Sequence, residues 1–158
     1  MSATRAGPPT GERELKLRPA TIEDAQIFFE WVNSPDSLAH KLETNKAIDW
    51  STHIQWFETR LQSRDGLLAV IELDSLPAGQ VRLEKKADGY HVDLFIVSEV
   101  RRTGIAARVL RRVLEVMKSR PIVATVLRKN EASHRLFRSI GFTETFSNSE
   151  VTIYKKFS

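Results

Sequence analysis

Cysteine is absent from the 158 residues, which excludes disulfides, thiolate nucleophiles and cysteine-ligated zinc. No apolar run approaches the roughly 20 residues that a membrane-spanning helix requires, and the first residues lack the apolar segment typical of a secretory leader. The net charge of +4 is too small to indicate nucleic-acid binding by itself. We therefore expect a cytoplasmic protein with no membrane or nucleic-acid partner and no metal site.

Apolar residues make up 41% of the chain, which is enough to build the core of one ordinary domain. Residues 1–12 are rich in Gly, Pro and Thr and have no hydrophobic periodicity, so they are predicted to form a disordered tail. Residues 13–158 are predicted to form a single domain.

Hydrophobic periodicity divides this domain into strands and helices. The predicted strands span residues 15–18, 67–73, 78–86, 90–97, 122–127, 142–147 and 151–157. The predicted helices span residues 22–32, 51–62, 104–118 and 130–140. This order favours an α/β (α+β) fold with a mixed, mostly antiparallel central sheet and helices on both faces. The strands at 90–97 and 122–127 flank a helix, so they should be parallel and joined by a right-handed crossover.

Positive charge is concentrated where the third long helix begins. A helix start carries unpaired N–H groups and the positive end of a dipole, so Arg101 and Arg102 would be repelled there unless an anion binds. Gly104 and the small Ala106 leave room for a ligand to approach the backbone. Because an apolar strand runs directly into this loop, the segment predicts a diphosphate site. For Arg111 and Arg112, further along the helix, a solvated surface is the plainer interpretation.

The loop is neither of the two common phosphate-binding motifs. It lacks the GxxxxGK[ST] pattern of a Walker A loop, and it has only one of the glycines of a Rossmann fingerprint. Instead, "IVSEVRRTGIA" resembles the acyl-CoA-binding segment of the GNAT N-acetyltransferases, Arg/Gln-x-x-Gly-x-Gly/Ala. The matching positions are Arg101, Gly104 and Ala106.

A second segment, "NEASHRLFRSIGF", is similar to the later GNAT pattern Asn-x-x-Ala/Ser-x-x-Leu-Tyr-x-x-x-Gly-Phe. It matches at Asn130, Ser133, Leu136, Gly141 and Phe142. The order of the predicted elements also resembles the GNAT fold, and the resemblance covers about residues 14–157. It implies acetyl transfer from acetyl-CoA to a primary amine by direct attack within a ternary complex. It leaves a homodimer open as the assembly.

The front half of the chain resembles two branches of this family. "RPATIEDAQIFFEWVNSPD" and "DWSTHIQWF" are similar to enzymes that acetylate amino sugars carried on nucleotides, which we take as the leading expectation. The ribosomal-protein N-terminal acetyltransferases share a similar His-x-x-Trp helix and remain an alternative. In either branch Trp31, His53 and Trp56 are candidate substrate-binding residues. A core position is the competing interpretation of Trp56, and for His53 the two interpretations are evenly balanced.

The resemblance also implies how the donor is held. Backbone N–H groups on the strand before the loop would polarise the thioester, and those in the loop would hold the diphosphate. Asn130 and Ser133 would bind the pantetheine arm, although Asn130 also suits a helix N-cap. The implied cofactor-binding residues are Phe95, Ile96, Val97, Arg101, Arg102, Thr103, Gly104, Ile105, Ala106, Asn130 and Ser133.

Proton transfer is the least determined part of the chemistry. His91 stands about where relatives often carry a catalytic glutamate, and Asp93 shares its strand face, so both are candidate catalytic residues. Relatives often use the Tyr of "LY" to protonate the leaving thiolate, but this chain has Phe137 there. His134, Tyr154 or water would have to replace it. The substitution keeps a non-catalytic acetyl-CoA-binding relative open as a further alternative.

Overall fold

A computed structural model of the chain describes residues 13–39, 46–118 and 120–157. The predicted tail, residues 1–12, lies outside them. The strands are β1 Leu15–Pro19, β2 Gly66–Leu73, β3 Leu76–Lys86, β4 Gly89–Ile96, β5 Pro121–Leu127, β6 Thr143–Ser147 and β7 Val151–Phe157. The helices are α1 Ala25–Val32, α2 Pro35–Ala39, α3 Trp50–Gln62, α4 Ile105–Val116 and α5 Glu131–Ser139. No helix of this described part is long and apolar enough to cross a membrane.

The seven strands form one sheet in the order β1-β2-β3-β4-β5-β7-β6. Every neighbouring pair is antiparallel except β4 and β5, which are parallel and joined through α4. The mixed, mostly antiparallel sheet predicted from the strand pattern is therefore confirmed.

The two faces of the sheet are covered by different helices. Face A, the side that carries Val81, Leu83, Ile122 and Tyr154, packs against the apolar sides of α4 and α5. Face B, the side that carries Val70, packs against α1 and α3 in a second cluster that is rich in aromatic side chains. The buried α4 residues follow the spacing that predicts an amphipathic helix: Ile105, Val109, Leu110, Val113 and Leu114.

The chain between α1 and α3 differs from the prediction. No helix is predicted between residues 32 and 51, but Pro35 begins the short helix α2. The Ser34 hydroxyl accepts a hydrogen bond from the Ser37 N–H at 3.3 Å, which satisfies a donor of the first turn. Proline is tolerated at the first helical position because its missing N–H would be unpaired there in any case.

Two arginines of α4 make hydrogen bonds that the sequence did not predict, although Arg112 is exposed as expected. Arg108 donates to the Arg13 carbonyl at 2.8 Å, and Arg112 donates to the Leu15 carbonyl at 2.9 Å. Strand β1 lies at the edge of the sheet, so these carbonyls have no strand partner on that side. The guanidinium groups therefore tie the first strand to α4, whereas Arg111 is exposed as expected.

Candidate active site

Strands β4 and β5 are paired only near the start of each strand. Their pairing is limited to Tyr90 with Ile122 and His91 with Val123, whereas β3 and β4 pair along the whole length of β4. We call the space beyond these two pairs the β4–β5 opening. It lies at the end of β4 that leads into the arginine-rich loop, so a ligand held by the loop can extend between the strands.

The strand register decides which backbone groups face this opening. The Val97 N–H donates to the Ala78 carbonyl at 2.9 Å, so the Val97 main chain faces β3. Neighbouring residues of a strand point their main-chain groups to opposite sides, so Leu94 and Ile96 direct their N–H groups into the opening. The prediction that Phe95 and Val97 could polarise a thioester is thus corrected, since their N–H groups face β3. Ile96 stays a candidate for that role, and Leu94 is a further candidate donor that the sequence did not indicate.

The loop after β4 forms a cup of backbone donors. Arg102 and Gly104 have positive φ angles of 62° and 81°, and they flank Thr103. The first helical N–H with a partner is that of Arg108, which donates to the Gly104 carbonyl at 3.2 Å. Within the described residues, no acceptor contacts the N–H groups of residues 102–106, which we call the amide cup.

The space in front of the amide cup is open. A Cβ built on Gly104 would meet no heavy atom within 4 Å, and the N-cap of α4 supplies no side-chain hydrogen bond. Unpaired N–H groups at the positive end of a helix are a ready site for an anion. The cup therefore fits a diphosphate, as the sequence predicts.

The two arginines beside the cup are engaged differently. Arg101 folds back from the cup, donating from Nε to the Ile96 carbonyl at 2.8 Å and from Nη1 to Asp36 at 2.6 Å. The Arg102 side chain is exposed and has no hydrogen-bond or ion-pair partner in the part of the chain that the structure describes. The left-handed backbone of Arg102 is one that glycine adopts more readily than arginine.

The start of α5 brings Asn130 and Ser133 together. The Asn130 side-chain oxygen accepts a hydrogen bond from the Ser133 N–H at 3.2 Å, so Asn130 is an N-cap. The side-chain N–H₂ of Asn130 and the hydroxyl of Ser133 have no partner among the described residues. They remain available for the predicted contact with the pantetheine arm.

His134 is buried in the core and does not line an open site. Its Nδ1 accepts from the Tyr154 hydroxyl at 2.7 Å, and its Nε2–H is shared between the carbonyls of Leu127 and Arg128, each 3.1 Å away. Phe137 stacks on the Tyr154 ring with the ring centres 6.1 Å apart. Because both ring nitrogens are occupied and Tyr154 is fully buried, the prediction that either protonates a thiolate is corrected.

His91 and Asp93 lie on face B beside the opening. The His91 Nε2–H donates to the Asp88 carboxylate at 2.7 Å, and this hydrogen bond lowers the pKa of the Asp88 carboxyl. Asp93 accepts from the Gln80 side chain at 2.9 Å, and Arg82 lies 3.9 Å from the same oxygen. His91 precedes Leu94 by three residues, which is about 10 Å along a strand. A base at His91 would therefore act through water.

A family model described as "Acetyltransferase (GNAT) domain" matches residues 14–143. The chain belongs to the GNAT acetyltransferases. Its acetyl donor is accordingly acetyl-CoA. No curated protein sequence is significantly similar to it.

Solved structures share the GNAT fold at low identity. Spermidine N-acetyltransferase from Vibrio cholerae, in complex with CoA and spermine, has a TM-score of 0.79 and 17% identity, covering 90% of this chain and 94% of its own. A putative acetyltransferase from Salmonella typhimurium with acetyl-CoA has a TM-score of 0.72 and 19% identity. The match covers 90% of this chain and 92% of that structure's chain. RimL, a ribosomal L7/L12 α-N-protein acetyltransferase in complex with CoA, has a TM-score of 0.76 and 14% identity. The match covers 90% of this chain and 93% of that structure's chain. Such likeness establishes the fold alone.

The predicted aromatic contacts of this GNAT chain with an acceptor are mostly core contacts. Trp31 is 8% exposed and packs on Phe95 with the ring centres 5.7 Å apart. His53 is 3% exposed and donates from Nε2 to the Ala25 carbonyl at 2.9 Å. Burial lowers the pKa of the His53 imidazole, which keeps the ring neutral. Trp31 and His53 are thus corrected to structural residues.

Trp56 is the remaining candidate of that set. It is half-buried, and the Arg82 guanidinium lies over its ring at 5.1 Å. Arg82 and Gln80 were not singled out in the sequence, although both are polar residues that alternate with apolar ones on β3. That alternation, placed opposite Asp93 in the strand register, is the signal that could have found them.

Proposed function

We propose that this GNAT acetyltransferase transfers the acetyl group of acetyl-CoA to the primary amine of an amino sugar on a nucleotide carrier. The reaction would proceed by direct attack in a ternary complex. The observation that carries the proposal is a path from the loop into the β4–β5 opening with backbone donors at both ends. The amide cup lies at one end, and the outward N–H groups of Leu94 and Ile96 lie at the other. The homodimer and the cytoplasmic location expected from the sequence belong to the same proposal.

The donor side of the site follows from this path. The amide cup and the Arg102 side chain hold the diphosphate, each exposed charge–dipole contact contributing roughly 0.3 to 1 kcal/mol. The side chains of Asn130 and Ser133 bind the pantetheine arm. The N–H groups of Leu94 and Ile96 stabilise the negative charge that develops on the thioester oxygen when the amine attacks.

The acceptor side lies on face B, where polar side chains border the opening. Asp93, 55% exposed and held by Gln80, attracts the ammonium form of the amine. His91, oriented by Asp88, takes the proton through water, because only the neutral amine can attack. Arg82, stacked on Trp56, offers a cation to the diphosphate of a nucleotide-linked sugar.

The leaving thiolate takes its proton from solvent. Phe137 cannot donate one, and His134 is occupied on both nitrogens. Solvent is sufficient since an ordinary thiol has a pKa of about 8.5. The reaction therefore needs no tyrosine at the position where relatives commonly carry it.

Acceptor choice is tested by following free thiol while the purified protein is incubated with acetyl-CoA and one amine at a time. The panel contains a UDP-linked 4-amino sugar, a ribosomal-protein N-terminal peptide and spermidine. Thiol release with the sugar, lost on Asp93→Asn, is the expected result. Release with the peptide or spermidine alone would overturn the proposed acceptor, and acetyl-CoA binding without release for every amine would favour a non-catalytic relative.

A further inference from the structure

Arg101 makes three contacts that all lead away from the amide cup. Its Nε donates to the Ile96 carbonyl at 2.8 Å, and its Nη1 lies 2.6 Å from the Asp36 carboxylate on α2. The guanidinium also lies over the Phe95 ring at 5.7 Å. We propose that Arg101 is a positioning residue that fixes the end of β4 to helix α2, and that its side chain is not a diphosphate ligand.

The end of β4 needs such a contact because it is not paired with β5. Ile96 faces the β4–β5 opening, beyond the two residue pairs that join the strands. Its carbonyl would otherwise have no hydrogen-bond partner on that side, and the Arg101 guanidinium takes the place of the missing strand. In the proposed function, on which this inference rests, Ile96 also directs its N–H at the thioester. The contact from Arg101 therefore fixes the position of that N–H group.

Helix α2 is tied to the same strand by a second route. The hydroxyls of Ser34 and Ser37 donate to the Trp31 carbonyl at 2.9 and 2.6 Å. The Trp31 ring in turn packs on Phe95. Phe95 lies on face B, where the acceptor is proposed to approach. Since the Arg101 guanidinium lies over the Phe95 ring, Arg101 links the end of β4 to the acceptor side of the site.

Arg102 provides a matched control for Arg101. The two are adjacent, have the same charge and differ in their contacts, because the Arg102 side chain has no partner in the described residues. Arg102→Met should weaken acetyl-CoA binding about two- to fivefold, as expected for an exposed charge pair, and the loss should shrink as salt is added. Arg101→Met should leave the dissociation constant within about twofold and lower kcat by about tenfold to a hundredfold, because misplaced groups slow the chemical step.

Asp36→Asn gives a test in which the two roles of Arg101 predict different acetyl-CoA affinities. If Arg101 were a diphosphate ligand, releasing it from Asp36 would tighten acetyl-CoA binding. A positioning role predicts unchanged binding, a lower kcat and a raised KM for the amine. The double variant with Arg101→Met should then be no slower than Arg101→Met alone, because both changes break one contact. Arg101→Lys, which keeps the charge but not the two-sided geometry, should restore only part of kcat.

Amide hydrogen exchange supplies a readout that needs no acceptor. Arg101→Met and Asp36→Asn should speed exchange of the residue 94–97 segment, whereas Arg102→Met should not, and thermal unfolding verifies that each variant folds. Failure to find an amine substrate would overturn the proposed acceptor and leave this result intact. Slow exchange at 94–97 in Arg101→Met, or tighter acetyl-CoA binding by Asp36→Asn, would overturn the positioning role.

Discussion

Helices α3, α4 and α5 do not begin in the same way. Helix α3 is capped by Asp49, whose carboxylate accepts from the Thr52 N–H at 2.8 Å, and α5 is capped by Asn130. Helix α4 begins at Gly104, which has no side chain and leaves the amide cup unpaired. The side-chain caps of α3 and α5 each satisfy a first-turn donor within the chain, whereas the first-turn donors of α4 have no such partner among the described residues.

The charge pattern supports the same distinction. The first turn of α4 has no acidic residue, and two arginines precede it, so the electrostatics at this end favour an anionic ligand over an internal partner. At the start of α5, by contrast, Glu131 lies in the first turn and complements the helix dipole. The uncapped start costs stability in the free protein, and the proposed binding of the coenzyme's diphosphate would offset that cost.

The largest expected effect comes from closing the open space at α4. Gly104→Val should weaken acetyl-CoA binding by at least about tenfold, roughly 1.4 kcal/mol, because the added side chain occupies the place of the diphosphate. Isothermal titration calorimetry measures the change. Gly141→Val is the control, since Gly141 also has a positive φ, of 97°, but ends α5. It should lose stability and keep its affinity; equal affinity for both variants would refute the site.

A smaller effect is expected when the strained arginine of the cup is replaced. Arg102→Gly should weaken acetyl-CoA binding about two- to fivefold through loss of an exposed charge. It should nevertheless leave the midpoint of thermal unfolding unchanged or higher, because glycine avoids the roughly 1 to 2 kcal/mol cost of a left-handed backbone. A clear fall in the midpoint would show that the Arg102 side chain stabilises the loop.

The α5 cap can be separated from its predicted ligand role by two substitutions. Asn130→Ala should cost about 1 kcal/mol of unfolding free energy, the usual value of an N-cap. Asn130→Asp should recover that stability, since a carboxylate also accepts from the Ser133 N–H. Both should weaken acetyl-CoA binding because both lack the side-chain N–H₂ donor. Full affinity in Asn130→Asp would leave Asn130 as a cap only.

The smallest effect concerns the start of α3 at acid pH. The hydrogen bond from the Thr52 N–H lowers the pKa of the Asp49 carboxyl below its ordinary value of 3.8. A lowered pKa means that this contribution to stability is present well above pH 3.8 and is lost as the pH falls through the folded-state value. Asp49→Asn should remove that part of the acid dependence in thermal unfolding and leave acetyl-CoA affinity unchanged. Reduced affinity would mean that the two helix starts are coupled.

Much of the architecture could be predicted from the sequence because it depends on local patterns. The 3.6-residue spacing of apolar side chains predicted α4, and the hydrophobic periodicity of residues 78–86 and 90–97 predicted β3 and β4. The amide cup could be predicted for a similar reason, since one glycine between a strand and a helix determines a local backbone shape. Helix α2 was missed because its five residues are too few to show a period.

Residue roles that depend on neighbours distant in the chain were harder to predict. The sequence indicated His134 as a candidate proton donor, but its ring is hydrogen-bonded to the Tyr154 hydroxyl and to the Leu127 carbonyl. His53 and Trp31 resembled an acceptor platform, but they complete the aromatic cluster under face B. The donor at Leu94 required the strand register, which no single sequence segment contains. Periodicity identifies which residues are buried, but not what they contact.

The hydrogen bonds from Arg108 and Arg112 to β1 have a consequence for how copies of this chain can meet. An exposed edge strand offers carbonyls to any strand that diffuses past, which is a common route to aggregation. Here the outward carbonyls of Arg13 and Leu15 already accept from guanidinium groups. An incoming strand would have to displace both, so intermolecular sheet growth is discouraged at this edge by the same helix whose first turn borders the amide cup.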